Sequence, residues 1–284
     1  MYVNAWPFDG VSQTAGPLRQ RADGRVALSA AMLGGRTRPM HIRESGSMRV
    51  RLPKVQGRTI EAVLVNTAGG IACGDRFAVE IEAQAGTVLT VATSAAEKVY
   101  RSDGPTAGLS VNLAVHAGSQ LEWLPQETIL FNQARLARRL DADIAEDAHL
   151  TVFEAVVFGR AAHAENMSSG FFEDRWRIRR GGRLAYADTL RLKGPIAHLL
   201  QKPSVAKGAR ALATLIHIAP DAEARLETAR ECLSSTNGCD AAASAWNGIL
   251  AVRFCAASIE ALRACACPFL LAFRGEPLPR VWLS

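Results

Sequence analysis

From about residue 59 to residue 193, apolar and polar positions alternate with a period of two. Phe77, Val79 and Ile81 alternate with Glu80 and Glu82; Leu109, Val111, Leu113 and Val115 alternate with Ser110 and Asn112; Trp176 and Ile178 alternate with Arg175, Arg177 and Arg179. That period belongs to strands with one buried face. Turn signals separate the runs: AQAG at 83–86, SDGPTAG at 102–108, HAGS at 116–119, AEDA at 145–148 and RGG at 180–182. Recurring short strands of this kind predict a sandwich, a barrel or a solenoid. No repeat of fixed length runs through them, so the pattern does not by itself demonstrate a regular solenoid.

The C-terminal third changes period. Asp221 is placed to cap a helix running to about Leu233, with Leu226, Ala229 and Leu233 on one face and Ser234-Ser235-Thr236-Asn237-Gly238 as its stop. Ser258 is placed to cap a second, with Ile259, Leu262 and Ala266 inward and Pro268 ending it. Strands are expected at about 211–218 and 249–255. The expectation is a mainly β protein: a many-stranded, sandwich-like or β-helix-like body at 25–284 with a small two-helix element near 221–233 and 258–267. Residues 1–24 are expected to be a loosely ordered leader to that single domain.

Composition narrows the class. Apolar residues make up 49% and charged residues 21% of the 284 positions, as in an ordinary globular chain. No apolar run reaches the roughly 18 residues a membrane span needs, and the start, MYVNAWPFDG, has no basic patch followed by an apolar stretch. A cytoplasmic, reducing location is expected. Cys73, Cys232, Cys239, Cys255, Cys265 and Cys267 then read as reduced thiols, since a chain this long folds without disulfides. The net charge of +6 is concentrated in residues 1–58, where ten Lys/Arg face Asp9, Asp23 and Glu44. Few aromatics interleave with these arginines and no nucleic-acid motif accompanies them, so an acidic protein surface or plain solvation is the expected complement.

Two carboxylates break the apolar pattern. In HLTVFEAVVF both faces of the strand are apolar, which desolvates Glu154; in RLAYADTLRL, Asp188 shares a face with Leu184, Tyr186, Leu190 and Leu192. A buried carboxylate is costly unless it is paired, hydrogen-bonded or facing a metal. These acids either meet arginines and backbone N–H groups or line a polar interior path for a hard or borderline divalent ion. The glycine-rich LVNTAGGIACGDRF, 64–77, lacks the Lys-Ser/Thr ending of a phosphate loop; its Asp75-Arg76 is expected to begin a strand with a turn bond or ion pair. Cys265-Ala-Cys267 has no nearby histidine, the six histidines are scattered, and His163 beside Glu165 is one isolated pair. There is no Gly-x-Ser-x-Gly elbow, and a paired-carboxylate glycosidase cannot be read from spacing alone.

One set of motifs is far more specific. Asn66-Thr67-Ala68-Gly69-Gly70, Gly74-Asp75-Arg76, Lys98-Val99-Tyr100-Arg101-Ser102, the run LEWLPQETILF at 121–131, Phe158-Gly159-Arg160, Asp174-Arg175-Trp176, Asp188 with Leu190-Arg191-Leu192, and the tail Leu278-Pro279-Arg280-Val281-Trp282 resemble the urease accessory protein D family, also called H. The match covers most of the chain after about residue 25. The resemblance implies a non-enzymatic, mainly β nickel metallochaperone scaffold. Such a protein binds accessory protein F and, through it, the GTPase G; the assembly docks on apo-urease and promotes nickel insertion. It also implies no tightly bound cofactor, only transient nickel(II), carried through an internal passage whose candidate wall residues here are Asp75, Glu122, Glu127, Glu154 and Asp188. Departures from the family pattern are Ala72-Cys73 for two small residues, Ser94 and Glu97 before Lys98-Val99-Tyr100-Arg101, and Asn132-Gln133 for Asp-Gly. Cys73 is either a soft nickel contact or a packed small residue. The other readings are an adaptor whose acids only form ion pairs, and a β-rich hydrolase.

Overall fold

A computed structural model describes residues 21–54, 59–160, 163–233 and 237–283. Strands begin earlier than the alternation suggested. β1 (Asp23–Leu33), β2 (Arg36–Ser45) and β3 (Met48–Arg51) precede β4 (Ile60–Asn66). β2 is an edge strand with one buried residue, Thr37, which is why no inside–outside alternation marks it. Of the expected leader, residues 1–20 lie outside the described residues.

The chain then passes back and forth between two sheets. β5 (Arg76–Ala83), β8 (Ala107–Val115), β11 (Arg135–Ile144) and β14 (Gly170–Arg180) fall in the first; β6 (Val88–Thr93), β9 (Gln120–Leu124) and β12 (His149–Arg160) fall in the second, with β4. Successive strands within each sheet are parallel. The result is a solenoid of stacked two-strand coils. The register explains why no fixed repeat was visible: Phe77 pairs with Leu109, Leu109 with Arg138 and Arg138 with Asp174, steps of 32, 29 and 36 residues. The strands stack while the corners differ in length.

Side chains stack with the coils. Val26, Val79, Val111, Leu140 and Trp176 form one inward row of the first sheet, and Ile60, Leu89, Leu121 and Leu150 face them from the second. The turn signals at 83–86, 116–119 and 145–148 lie at one corner, where His116 N donates to Ala83 O at 2.9 Å, Gly86 N to Ala117 O at 3.0 Å and Ala145 N to Val115 O at 2.9 Å. RGG closes the hairpin from β14 to β15 (Arg183–Gly194), with Gly181 and Gly182 at φ 54° and 77°, the left-handed pair a tight hairpin requires.

The second sheet is extended by antiparallel β16 (Ala211–Ile218), β18 (Ile249–Ala256) and β17 (Cys239–Trp246); short β7 (Glu97–Val99), β10 (Thr128–Leu130) and β13 (Glu165–Asn166) attach beside it. Its outer face carries a second core. Phe153, Ala155 and Val157 of β12, with Leu215, Val252 and Phe254, meet helix α3 (Ile259–Arg274), which follows β18. β12 is therefore buried on both faces, as its doubly apolar pattern predicted. A short helix α1 (Ile196–Gln201), which no sequence signal marked, links β15 to β16.

The helices depart from expectation in detail. Asp221 caps nothing: a 3₁₀ turn, Glu223–Arg225, leads into α2 (Leu226–Cys232) without a side-chain cap; the expected stop at 234–236 lies outside the described residues. Ser258 does cap α3 (Ile259–Arg274), accepting from Ala261 N at 3.2 Å. Pro268 does not end it; Gly275 does, at φ 70°. An interior proline costs a helix about 3 kcal/mol. Beyond it Phe269, Leu270 and Phe273 are at most 2% exposed, and burying each contributes about 1.5–3 kcal/mol, so the apolar stripe outweighs the breaker. Among the described residues no helix is long and apolar enough to cross a membrane.

Leu121, 1% exposed in the middle of its row, should tolerate truncation poorly. Leu121→Ala is expected to cost about 2–5 kcal/mol, measured as a lower midpoint in urea unfolding of the full chain.

Candidate functional site

Glu154 stands mid-strand in β12 on the face toward the solenoid interior, 4% exposed. Its neighbour β9 ends at Leu124 and β10 starts only at Thr128. Val152 pairs with Trp123 and Val156 with Thr128, so Glu154 falls opposite the intervening Pro125-Gln126-Glu127. Proline has no N–H to give a ladder, and a polar cluster occupies this break in the apolar rows.

Across the interior, Arg138 of β11 pairs in register with Asp174 of β14. Arg138 Nε and Nη2 donate to the Asp174 carboxylate at 3.0 and 2.5 Å, a bidentate fork. Nη2 also lies 2.9 Å from Glu154 Oε2, but that oxygen has no aligned hydrogen bond. Nη1 donates to Thr128 Oγ1 at 3.3 Å. Trp123 Nε1 donates to Glu154 Oε1 at 2.8 Å and Trp176 Nε1 to Asp174 Oδ1 at 3.1 Å. The side chains of Arg138, Glu154 and Asp174 are 4%, 2% and 12% exposed. One guanidinium thus faces two carboxylates inside a protein core. Burial pushes the Glu154 pKa up, against the attraction of Arg138 and with the help of Asp174's charge. Burial also works against the Arg138 charge, but the two acids together raise its pKa above the ordinary value.

The polar chain continues outward. Trp176 packs edge-on to Tyr186 at 6.4 Å; Tyr186 OH donates to Asp188 Oδ2 at 3.1 Å, and Arg253 Nη2 reaches the same oxygen at 2.7 Å. Burial opposes the Asp188 charge, yet Arg253 holds its pKa below the usual range. Asp188 was expected to point inward like Glu154. Its side chain is instead 34% exposed, and Leu184 of the same expected face is 56% exposed. β15 is the edge strand of the first sheet, and the hairpin register shifts between Ile178 and Arg179, so the inward face of this strand is incompletely covered.

The other three acids are elsewhere. Asp75, 4% exposed, accepts from Ala22 N at 2.9 Å and Ala72 N at 2.7 Å, bracing the turn before β5 as the Asp75-Arg76 reading anticipated. Glu122 lies on the outer face of the second sheet, where Arg274 donates to both its oxygens at 2.7 Å and Thr90 to one at 2.8 Å. Glu127 sits in the break after β9 and takes Arg263 Nη2 at 3.1 Å. The five acids therefore do not form one constellation; Glu154 and Asp188 are connected indirectly, through Arg138, Asp174 and the Trp176–Tyr186 ring contact, and the other three are separate. A cavity of about 460 Å³ beside the start of α3 is lined by Lys98, Tyr100, Phe131, Arg160, His163 and Arg210 among others, and by none of the five. Cys73 is buried, its thiol donating to Asp103 Oδ1 at 3.0 Å and accepting from Arg21 at 3.1 Å.

Sequence reasoning missed Arg138 and Asp174 as members of the interior cluster. A signal existed: Arg138 falls in the alternation Leu136, Leu140, Ala142, and Asp174 in Phe172, Trp176, Ile178. The Arg253, Arg263 and Arg274 partners could not be found that way, because each comes from a distant element.

The geometry also explains the long motif at 121–131. Leu121, Trp123 and Leu130 fill the interior; Glu122 and Glu127 bind arginines of α3; Gln126 Nε2 donates to Val281 O; Thr128 receives Arg138. Trp282 Nε1 returns to Leu124 O at 3.0 Å. One segment ties interior, helix and tail together.

Comparison with known proteins gives the same reading. A family model described as UreD urease accessory protein matches residues 22–283. The urease accessory protein UreD of Azorhizobium caulinodans is 55% identical over 266 residues, 94% of this chain and 98% of that protein. Those of Xanthobacter autotrophicus and Methylobacterium sp. are 56% and 53% identical over 267 and 271 residues, each match spanning 94% of this chain and 92% and 96% of the relative.

Two outcomes follow from the electrostatics. Arg138→Met leaves two buried carboxylates without their cation and should cost about 3–5 kcal/mol, seen in chemical denaturation; adding Glu154→Gln and Asp174→Asn to it should recover much of the loss. Glu97, whose partner is Asn66 Nδ2 at 3.2 and 3.3 Å, has its pKa pushed by burial up to about 7, against that bond. Between the ordinary carboxylate pKa and this value the folded state binds more protons, so stability falls as pH rises through the window. Glu97→Gln should therefore be more stable than wild type by about 2 kcal/mol at pH 8, with the gap in Tm closing toward pH 4. A gap that does not change with pH would refute the buried-acid account.

Proposed function

The chain belongs to the UreD urease accessory protein family, and on that premise we propose that it is a non-catalytic scaffold that works with accessory proteins F and G to bring nickel to apo-urease, with nickel(II) as transient cargo. The relatives' shared description supports the urease role. The interior arrangement supports the nickel part: one cation, Arg138, against two carboxylates, Glu154 and Asp174, in the core of the solenoid. That leaves an excess negative charge where a divalent cation or a proton would relieve it. Asp188 extends the acidic line to the rim. An absent catalytic constellation in the sequence fits a role without bond-breaking chemistry.

The adaptor reading has an observation in its favour. Each of the five proposed wall acids already meets an arginine, backbone N–H groups, or both, as acids that only hold the fold would.

The two readings separate on function. In cells carrying urease and the accessory set, Glu154→Gln and Asp188→Asn should leave co-purification with F, G and urease intact and lower the nickel content and activity of urease several-fold. Full nickel loading by both variants would remove the passage role and leave the adaptor.

A further inference from the structure

The outer face of the second sheet carries a polar row beneath the end of α3. In register across five strands stand Glu61, Thr90, Glu122, Thr151 and His217. Most of the row is internally satisfied: Thr90 bonds Glu122, and Thr151 Oγ1 lies 2.9 Å from His217 Nδ1. At its far end the row meets two further metal-ligating groups. His149 is two residues before Thr151 on the same face of β12, and Asp221 follows β16 in the turn at Ala219–Ala222. One ligand atom from each of His149, His217 and Asp221 lies within 4.8 Å of the others. His217 is buried, His149 half-buried and Asp221 exposed, so the group opens to solvent on one side.

We propose that His149, His217 and Asp221 form a binding site for a borderline divalent first-row cation such as nickel(II) or zinc(II), separate from the interior cluster around Arg138. Two imidazoles and one carboxylate suit that class of ion, and three protein ligands leave positions for water or for a donor from a partner. The hydrogen bonds already orient the deepest ligand. Arg225 Nη1 approaches His217 Nε2 at 3.4 Å as a donor, which makes Nε2 the acceptor and places the proton on Nδ1, toward Thr151. Nε2 thus carries the lone pair a metal needs, and Thr151 holds the ring from behind, as outer partners of metal-binding histidines do. Arg225 is the present occupant of that lone pair. Its other bonds are to Phe273, whose carbonyl accepts from Nη2 and whose ring face lies 4.0 Å below the guanidinium carbon, so it keeps partners when a dication displaces it. The ligands come from β12, from β16 and from the turn after it, with His149 and His217 68 positions apart, which is why their spacing resembled no metal motif.

The site does not rest on the urease reading, and its test reads metal alone. The full chain is titrated with nickel(II) chloride by calorimetry, and the loaded protein is examined by X-ray absorption at the nickel edge. Wild type should bind about one ion here, with imidazole scattering in the spectrum; His149→Ala and Asp221→Asn should each weaken binding by roughly tenfold or more. Cys265→Ser should leave this binding event unchanged. Because His217 is buried and its replacement could unfold the chain, the two accessible ligands carry the test, with an unchanged Tm as the control. Nickel binding that is absent in wild type, or unaffected by both His149→Ala and Asp221→Asn, overturns the proposal.

Discussion

The second sheet has no solvent face across its central strands. One side closes the solenoid and the other carries α3, so β12 is buried on both faces. Every polar side chain on it must then be matched inside the protein, because an unmatched buried polar group costs about 1–3 kcal/mol and a charge more. The arrangement of charges in this molecule follows from that constraint. Inward, Glu154 meets Arg138 and Trp123; outward, Glu122 meets Arg274, and His217 meets Thr151 and Arg225. Burial pushes the His217 pKa down to about 4, with Arg225 adding to the effect, so the imidazole is neutral.

The two faces resolve the constraint differently. On the outer face Glu122 is matched by one arginine, bidentate, and a threonine, while Glu61 Oε1 lacks a hydrogen-bond partner among the described residues. In the interior a single guanidinium serves two carboxylates, and Glu154 Oε2 lacks an aligned donor. Simple stabilisation does not require such a cluster, as apolar residues of similar volume often do as well or better. The proposal of a cation passage rests on this one observation, a single guanidinium between two carboxylates in the middle of an apolar stack.

The helix and tail are held to the same strands by the same means. Arg263 and Arg274 of α3 bind Glu127 and Glu122, and Trp282 covers Phe153 while bonding Leu124 O. The segment 121–131 therefore has constraints on nearly every side chain, from the interior, from α3 and from the tail. A substitution there disturbs more than one layer, and this makes the run a far more specific family signature than any short motif in the chain.

The β class, the strands at 211–218 and near 249–255, the Ser258 cap and the double burial of Glu154 were all legible in the sequence, because each depends on local period, on a capping side chain or on the alternation of a single strand. The resemblance to the urease accessory family was legible too, through motifs whose spacing survives whatever the loops do. Tertiary structure alone decided the rest. Coil lengths of 32, 29 and 36 residues hid the solenoid; burial of Phe269, Leu270 and Phe273 carried α3 through Pro268; edge position left Asp188 at the rim. It also decided which arginine meets which acid and brought His149 beside His217 and Asp221. Partner choice across 16 to 152 residues is set by how strands stack and helices dock, and a local pattern holds no record of those distances.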